Sequence, residues 1–371
     1  MALGDFSPSN MCKLILSLDD AMNDSRVQQR HQLLPPIGIL DWIKTVETAN
    51  WNSVRPADRY CEEFDVTWLQ ESDTAAVVHT NQTHLHRAPC AISGEELESQ
   101  KKTYKLGKSV DYTLKVKDED CGNIFSWESK VSLGLLQGYK KLLTALAQAM
   151  PGYLHAMAGD NLVNDVADGA LPGNIGSDSG AGYTELNFDS GTIAASQLIP
   201  YLTYVSTLNK LQNPIILDGG AFFLNYWDAQ AKKGTGAGDV GDANYWAALF
   251  TNYRQDIVNM LAAGYSGSMF IADTGNLAMP LVSYFPRMGD GNHVVGDKYI
   301  YSVPMPGVTI GGQQVYVDMT YTKAEEQIGS TGRCQLVHTF HMEIKWDIWQ
   351  APAYTTDPVT GLIEFRLAPA A

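Results

Sequence analysis

The chain has 371 residues, 45% of them apolar, which is enough to bury sizeable cores in two or three domains and excludes a disordered chain. Its formal net charge is −15, from 26 Lys and Arg against 41 Asp and Glu, and no basic run exceeds two residues, as at Lys101-Lys102, Lys140-Lys141 and Lys232-Lys233. A surface dedicated to reading nucleic acid needs clustered cations to displace counterions, so that class is excluded.

The acidic excess is uneven. Between Lys141 and Lys210 there is no Lys or Arg, while Asp160, Asp165, Asp168, Asp178, Glu185 and Asp189 are present. This is either a solvated acidic face or a surface that repels packed nucleic acid. The five cysteines (Cys12, Cys61, Cys90, Cys121 and Cys334) form no C-x-x-C pair and leave at least one thiol unpaired, which fits a reducing cytosol. Asp5 precedes the first cation, Lys13, so the N-terminus lacks the basic start of a secretory signal. No apolar run approaches the ~18 residues of a membrane span.

In chain order, Leu14, Ile15 and Leu18 mark a short amphipathic helix around Met11 to Met22, and Pro35-Pro36 breaks the chain before an apolar piece, Ile37 to Val46. Neither piece buries much alone, so both need a surface to lie on. Phe64, Val66 and Trp68 alternate with polar residues, as do Tyr112, Leu114 and Val116, which predicts an extended hairpin of two half-buried strands. The stretch between them, Gln70 to Asp111, is polar, and a loop of that length implies a function or a binding partner. From Ser126, a plausible N-cap, the spacing of Leu135, Leu136, Tyr139, Leu142, Leu143, Leu146 and Met150 predicts a long helix ended by Pro151-Gly152.

A second helical stretch, Tyr153 to Val166, runs into a Gly-rich loop over Gly169 to Gly182. A helix ending near Leu211, a buried strand Pro214 to Leu217, a short helix Phe222 to Gln230, the loop Gly234 to Gly241 and a helix Tyr245 to Ala263 come next. Strands then take over. In Leu336 to Ile348 the even positions Leu336, His338, Phe340, Met342, Ile344, Trp346 and Ile348 face one way and Thr339, His341, Glu343, Lys345 and Asp347 the other. Val315, Val317, Met319 and Tyr321 are its antiparallel partner across a turn near Gly329 and Gly332.

Four motifs were weighed for chemistry. Asp189-Ser190-Gly191 and Asp273-Thr274-Gly275 resemble the paired turns of aspartic proteases, in which two carboxylates share a proton. Their separation is too short for a two-lobed protease, and turn chemistry explains each tripeptide. His79, His84, His86 and Cys90 match no standard zinc spacing and are expected as loop residues. His338 and His341 lie on opposite faces of one strand and share no metal, His338 being core-facing with a satisfied ring nitrogen. Gly234, Gly236 and Gly238 follow a helix instead of a strand and fit no phosphate loop. No catalytic, cofactor-binding or metal-binding residue is assigned.

Taken in order, these segments resemble the subunit of tailed-bacteriophage capsids with the HK97-type fold, an α+β architecture. The resemblance implies an N-terminal arm (1–50) and an extended loop (51–125). A spine helix with a peripheral domain (126–190), an axial-type mixed domain (191–335) entered through "NPIILDGGAFFLNYW" (Asn213 to Trp227), and a C-terminal long strand returning to the peripheral domain (336–371) complete it. It further implies a non-enzymatic protein, made in a host cytoplasm, that assembles with itself into hexamers and pentamers of an icosahedral virion shell. Scaffold, portal and decoration proteins would be further partners, packaged double-stranded DNA would be contacted weakly, and no cofactor or membrane is involved. The alternatives are another phage assembly protein such as a tail component, a capsid-like compartment shell, and a hydrolase using Asp189 and Asp273.

Overall fold

A computed structural model of the chain describes residues 38–46, 63–69, 99–117, 127–158, 176–178, 183–186, 198–209, 211–224, 253–287, 294–310, 313–328, 333–351 and 361–367. Helix α1 (Ile39–Val46) precedes strands β1 (Glu63–Leu69) and β2 (Ser99–Lys105), and β3 (Lys108–Lys117) leads into the long helix α2 (Trp127–Met157). Next come β4 (Gly176–Asp178), β5 (Thr184–Leu186), α3 (Leu198–Leu208), β6 (Pro214–Asp218), β7 (Tyr253–Gln255), α4 (Ile257–Ala262) and β8 (Ser268–Asp273). The remainder is strand: β9 (Leu277–Ala278), β10 (Leu281–Val282), β11 (Val294–Val295), β12 (Lys298–Ile310), β13 (Gln313–Ile328), β14 (Arg333–Trp346), β15 (Trp349–Gln350) and β16 (Leu362–Leu367).

Two six-stranded sheets carry this α+β fold. The first is antiparallel, ordered β10-β14-β13-β12-β11, with β3 on the other edge of β14. Its inner face presents Val303, Val317, Met319, Phe340, Met342 and Ile344 to α2, whose Val131, Leu135, Leu142, Leu146 and Met150 are fully buried. Each such side chain contributes about 1.5–3 kcal/mol on burial, so this seam is the main store of stability. Gly134 and Gly138, one turn apart, let α2 lie close. A Cβ at Gly134 would stand 2.8 Å from the Leu114 side chain, and one at Gly138 would run into Met342 and Tyr112.

The second sheet, ordered β4-β5-β16-β8-β6-β7, is mixed, with β16 parallel to β5 and β6 parallel to β7. Its alternation splits it between two cores. Ile215, Leu217, Phe270, Ala272 and Leu362 join the core under α2, while Ile216, Met269, Ile271, Ile363 and Phe365 pack with Leu202 and Val205 of α3. Glu364, fully buried on the α2 side, binds the end of that helix. His155 Nδ1 lies 2.5 Å from its Oε2, and Ser268 Oγ and Arg366 Nε each donate to Oε1 at 2.7 Å.

Three of the helix and loop expectations change. The helix expected to stop at Pro151 continues to Met157 with Pro151 buried inside it, because Leu154 beyond the proline still buries in the core. The Pro151 ring removes one backbone donor, a cost that burial on either side outweighs. In the helix expected over 245–263, residues 253–255 instead form β7 beside β6. Asp256 then starts α4, its carboxylate accepting from Asn259 N at 3.1 Å. Within the loop expected over 169–182, residues 176–178 are strand β4. The expected helix around 11–22 and the glycine loop at 234–241 lie outside the described residues.

Residues 38–46, expected to belong to an arm, are a keystone of the folded chain itself. Ile39, Trp42, Ile43 and Val46 are fully buried. Ile39 N donates to Asp256 Oδ2 at 2.9 Å, Trp42 Nε1 to the Ile215 carbonyl at 3.1 Å, Arg254 Nε to Asp41 Oδ2 at 3.0 Å, and Gly275 N to the Val46 carbonyl at 2.6 Å. The apolar positions of this helix are too many for one contact face, and the gap between the two sheets is what buries them. The sheet grouping also cuts across the segment boundary at 335/336: β12, β13 and β14 are consecutive partners in one sheet.

Asp218 ends β6 and organises the turn after it. Its carboxylate accepts from Gly220 N and Phe223 N, both at 2.9 Å, and from the Tyr253 hydroxyl. Burial pushes its pKa above the ordinary carboxyl value, while these donors pull the other way. Burial and the neighbouring Asp218 together push the Tyr253 phenol up, so it stays a donor.

Two outcomes follow for the isolated chain. Trp42→Ala should lower unfolding free energy by about 3–5 kcal/mol in urea titration, the value for a core tryptophan, whereas a residue of a detached arm would change it little. A raised folded pKa means that Asp218 stabilises the chain below the ordinary carboxyl range, near pH 4, and that this contribution is lost as pH rises through the folded value. Tyr253→Phe removes a donor to the ionised form and raises that value further. Its destabilisation should therefore grow with pH, reaching about 1.5–3 kcal/mol at pH 8 and less near pH 5 by urea midpoints.

Candidate assembly interface

Strands β1 and β2 pair only with each other among the described residues, over seven antiparallel positions from Glu63↔Lys105 to Leu69↔Ser99. Phe64, Val66 and Trp68 stand in register with Tyr104, Lys102 and Gln100. The sequence had paired these three with Tyr112 to Val116, and the structure corrects this. Tyr112, Leu114 and Val116 belong to β3, which runs along β14 from Lys108↔Trp346 to Lys117↔Val337 and packs its alternate residues under α2. A strand with both a neighbour and a helix to lie against wins over one in a free ribbon.

The ribbon is fastened at its root. Leu106 and Gly107 interrupt the strand between β2 and β3. On the ribbon side Tyr104, 6% exposed, packs against Trp349 with ring centroids 5.1 Å apart and the rings tilted by 34°, and its hydroxyl donates to the Gln350 carbonyl at 2.7 Å. Trp349, Ala351, Ala278 and Leu106 complete this small core, held by the β9–β15 pair. On the sheet side Asp347 accepts from Gly107 N at 3.2 Å, from Ile348 N at 2.7 Å and from the Lys108 ammonium. Lys108 Nζ also lies 4.6 Å from the centre of the Tyr153 ring of α2. By alternation Asp347 was expected on the strand face opposite Trp346 and Ile348, but β14 stops at Trp346 and Asp347, just past it, is buried to 6% exposure.

A second self-paired ribbon leaves the opposite end of the same sheet. β12 reaches only Thr322 of β13, and β3 reaches only Val337 of β14, so among the described residues the pairs from Glu325↔Leu336 to Ile328↔Arg333 have no flanking strand. Lys323, Ala324, Glu325 and Glu326 are exposed, and Lys117 reaches Glu326 at 3.3 Å, a surface pair of small worth. Elsewhere α4 turns Val258 and Leu261 outward, 75% and 62% exposed, while Met260 is buried beneath them.

The weighed motifs fall as follows. Asp273 clasps a turn, its carboxylate accepting from the backbone of Gln212, Asn213 and Thr274. Asp189, His79, His84, His86, Cys90, Gly234, Gly236 and Gly238 lie outside the described residues. His338 is buried with Nδ1 2.7 Å from the Tyr321 hydroxyl, and His341, on the other face, meets Thr113 Oγ1 at 2.9 Å, as alternation requires. Among the described residues no group of three His, Cys, Asp or Glu is placed to hold a metal, and no helix is long and apolar enough to cross a membrane.

No family model and no curated protein matches the chain. Among solved structures it is similar to a chain from Mycobacterium phage Adephagia, at 12% identity over 99% of this chain and 100% of that one, TM-score 0.42. It is also similar to chains in the capsid structures of Staphylococcus phage Andhra (10% identity, 91% and 86% covered, TM-score 0.41) and Cyanophage P-SCSP1u (8%, 84% and 85%, 0.41). These are likenesses of general outline across most of each chain.

Proposed function

We propose that this chain is a structural subunit that assembles with itself into a closed icosahedral shell around double-stranded DNA, the major capsid protein of a tailed bacteriophage with an HK97-like fold. The observation that carries the reading is the pair of self-paired ribbons at opposite ends of one sheet. A two-stranded ribbon is marginal in water unless something packs on it. Two ribbons pointing opposite ways meet different neighbours through unlike surfaces, the head-to-tail contact that makes rings and continuous lattices where a self-matching patch makes dimers. The outward apolar face of α4 adds area that self-association would bury.

In this reading the first sheet with α2 is the peripheral domain, the second sheet with α3 and α4 the axial one, and β1–β2 the base of the extended loop. Hexamers and pentamers are the units of the shell, with scaffold, portal and decoration proteins as further partners and the virion as location. The net charge of −15 suits a wall that holds packaged DNA without gripping it. The reading needs no catalytic residue, cofactor or metal.

Deleting residues 71–98 and inserting Asn-Gly in their place joins the two strands through a three-residue loop beyond Leu69↔Ser99, where the register already brings them together. The shortened chain should keep its circular dichroism and its unfolding free energy in urea to within about 0.5 kcal/mol, yet form no closed particles by negative-stain microscopy. Normal shells from the deletion variant would refute the ribbon's role as the strap between subunits.

A further inference from the structure

We infer that Asp347 is the residue that aims the extended ribbon, a positioning role resting on the shell-subunit reading above. The break at Leu106-Gly107 would be a loose joint if nothing spanned it, because neither residue is held in a strand. At about 3.4 Å per residue the seven-residue strands reach about 24 Å, so a swing of about 10° at the root moves the far end by about 4 Å, enough to lose a packed contact.

Asp347 closes the joint from the body side. One buried carboxylate takes Gly107 N, at the break itself, and the Lys108 ammonium, the first residue of β3. It also takes Ile348 N from the turn that carries the ribbon's aromatic seat, Trp349. Gly107 and Lys108 lie on the segment that carries the ribbon and Ile348 on Asp347's own turn, so the first two bonds tie the segments together and the third holds the carboxylate in place. Hydrogen bonds to a charged group are the stronger kind, and three on one side chain leave it a single rotamer. Lys108 extends the brace, since its ammonium sits over Tyr153 of α2 and 5.8 Å from the centre of the Trp346 ring. The Tyr104–Trp349 contact then fixes where the ribbon sits, and Asp347 fixes how it is turned.

The test uses the full chain carrying Asp347→Asn, which keeps one acceptor oxygen and removes the charge. Hydrogen exchange is measured on the unassembled subunit, and particle yield and diameter on the assembled one. Amides over residues 103–108 should exchange about tenfold faster or more while those of β13 and β14 keep wild-type rates, the signature of a local opening. Closed particles should fall several-fold in yield, with a broader spread of diameters. Lys108→Met should act in the same direction, and Lys108→Arg, which keeps the cation, should restore yield. These two variants also decide the matter where Asp347→Asn fails to fold. Wild-type exchange at 103–108, or wild-type particles despite a loosened root, overturns the inference. If either happens while the 71–98 deletion still abolishes shells, the ribbon is the strap and Asp347 does not aim it. If the deletion assembles normally, the shell reading itself falls.

Discussion

The apolar face of α2 runs along the antiparallel sheet for most of the helix's length, and every other part of the subunit is placed by reference to that seam. Gly134 and Gly138 hold helix and sheet close enough that Leu114, Tyr112 and Met342 fill the space a side chain would take. A glycine in a helix interior costs about 1 kcal/mol relative to alanine, so two of them in consecutive turns are affordable only where close packing returns more. Past Pro151 the same helix touches both bodies. Tyr153 meets Trp346 edge-on at 5.4 Å, near the ribbon root, and His155 meets Glu364 of the second sheet.

Elements with a strong period were legible in the sequence. The spacing of leucines from Leu135 to Leu146 and the alternation from Leu336 to Trp346 each describe a face that meets a large apolar surface, and a face is a local property. The pairing of Phe64 to Trp68 was not legible, because β2 (SQKKTYK) has almost no apolar alternation. β3, with the better pattern, was the natural choice of partner and was already taken by β14. Pro151 misled for a related reason: a proline's local cost is readable, and the burial beyond it that outweighs the cost is not.

The candidate site was the least legible part. Buried carboxylates do much of the positioning in this subunit. Asp218 and Asp256 organise turns and helix starts, Asp318 accepts from Tyr284 N and Phe285 N, and Asp347 holds the ribbon root. Each binds main-chain N–H groups, which every residue but proline carries, so no side-chain motif announces the pair. Asp347 sits where a strand's alternation ends, and the apolar residues on either side of it, Trp346 and Ile348, were the one clue that its surroundings are dry.

The long register between β3 and β14 has a consequence for how the subunit is made. Gly107 and Asp347 are 240 residues apart, and Tyr104 and the Gln350 carbonyl 246. On a ribosome, β3 and α2 emerge early, while the strand that pairs with one and packs under the other is among the last to appear. Contacts so distant in sequence close slowly and close late. A chain cut short anywhere before Trp349 has no aromatic seat for its ribbon. The order of synthesis thus works as an inspection step, in which the ribbon is seated only once β14 and the turn after it have been made.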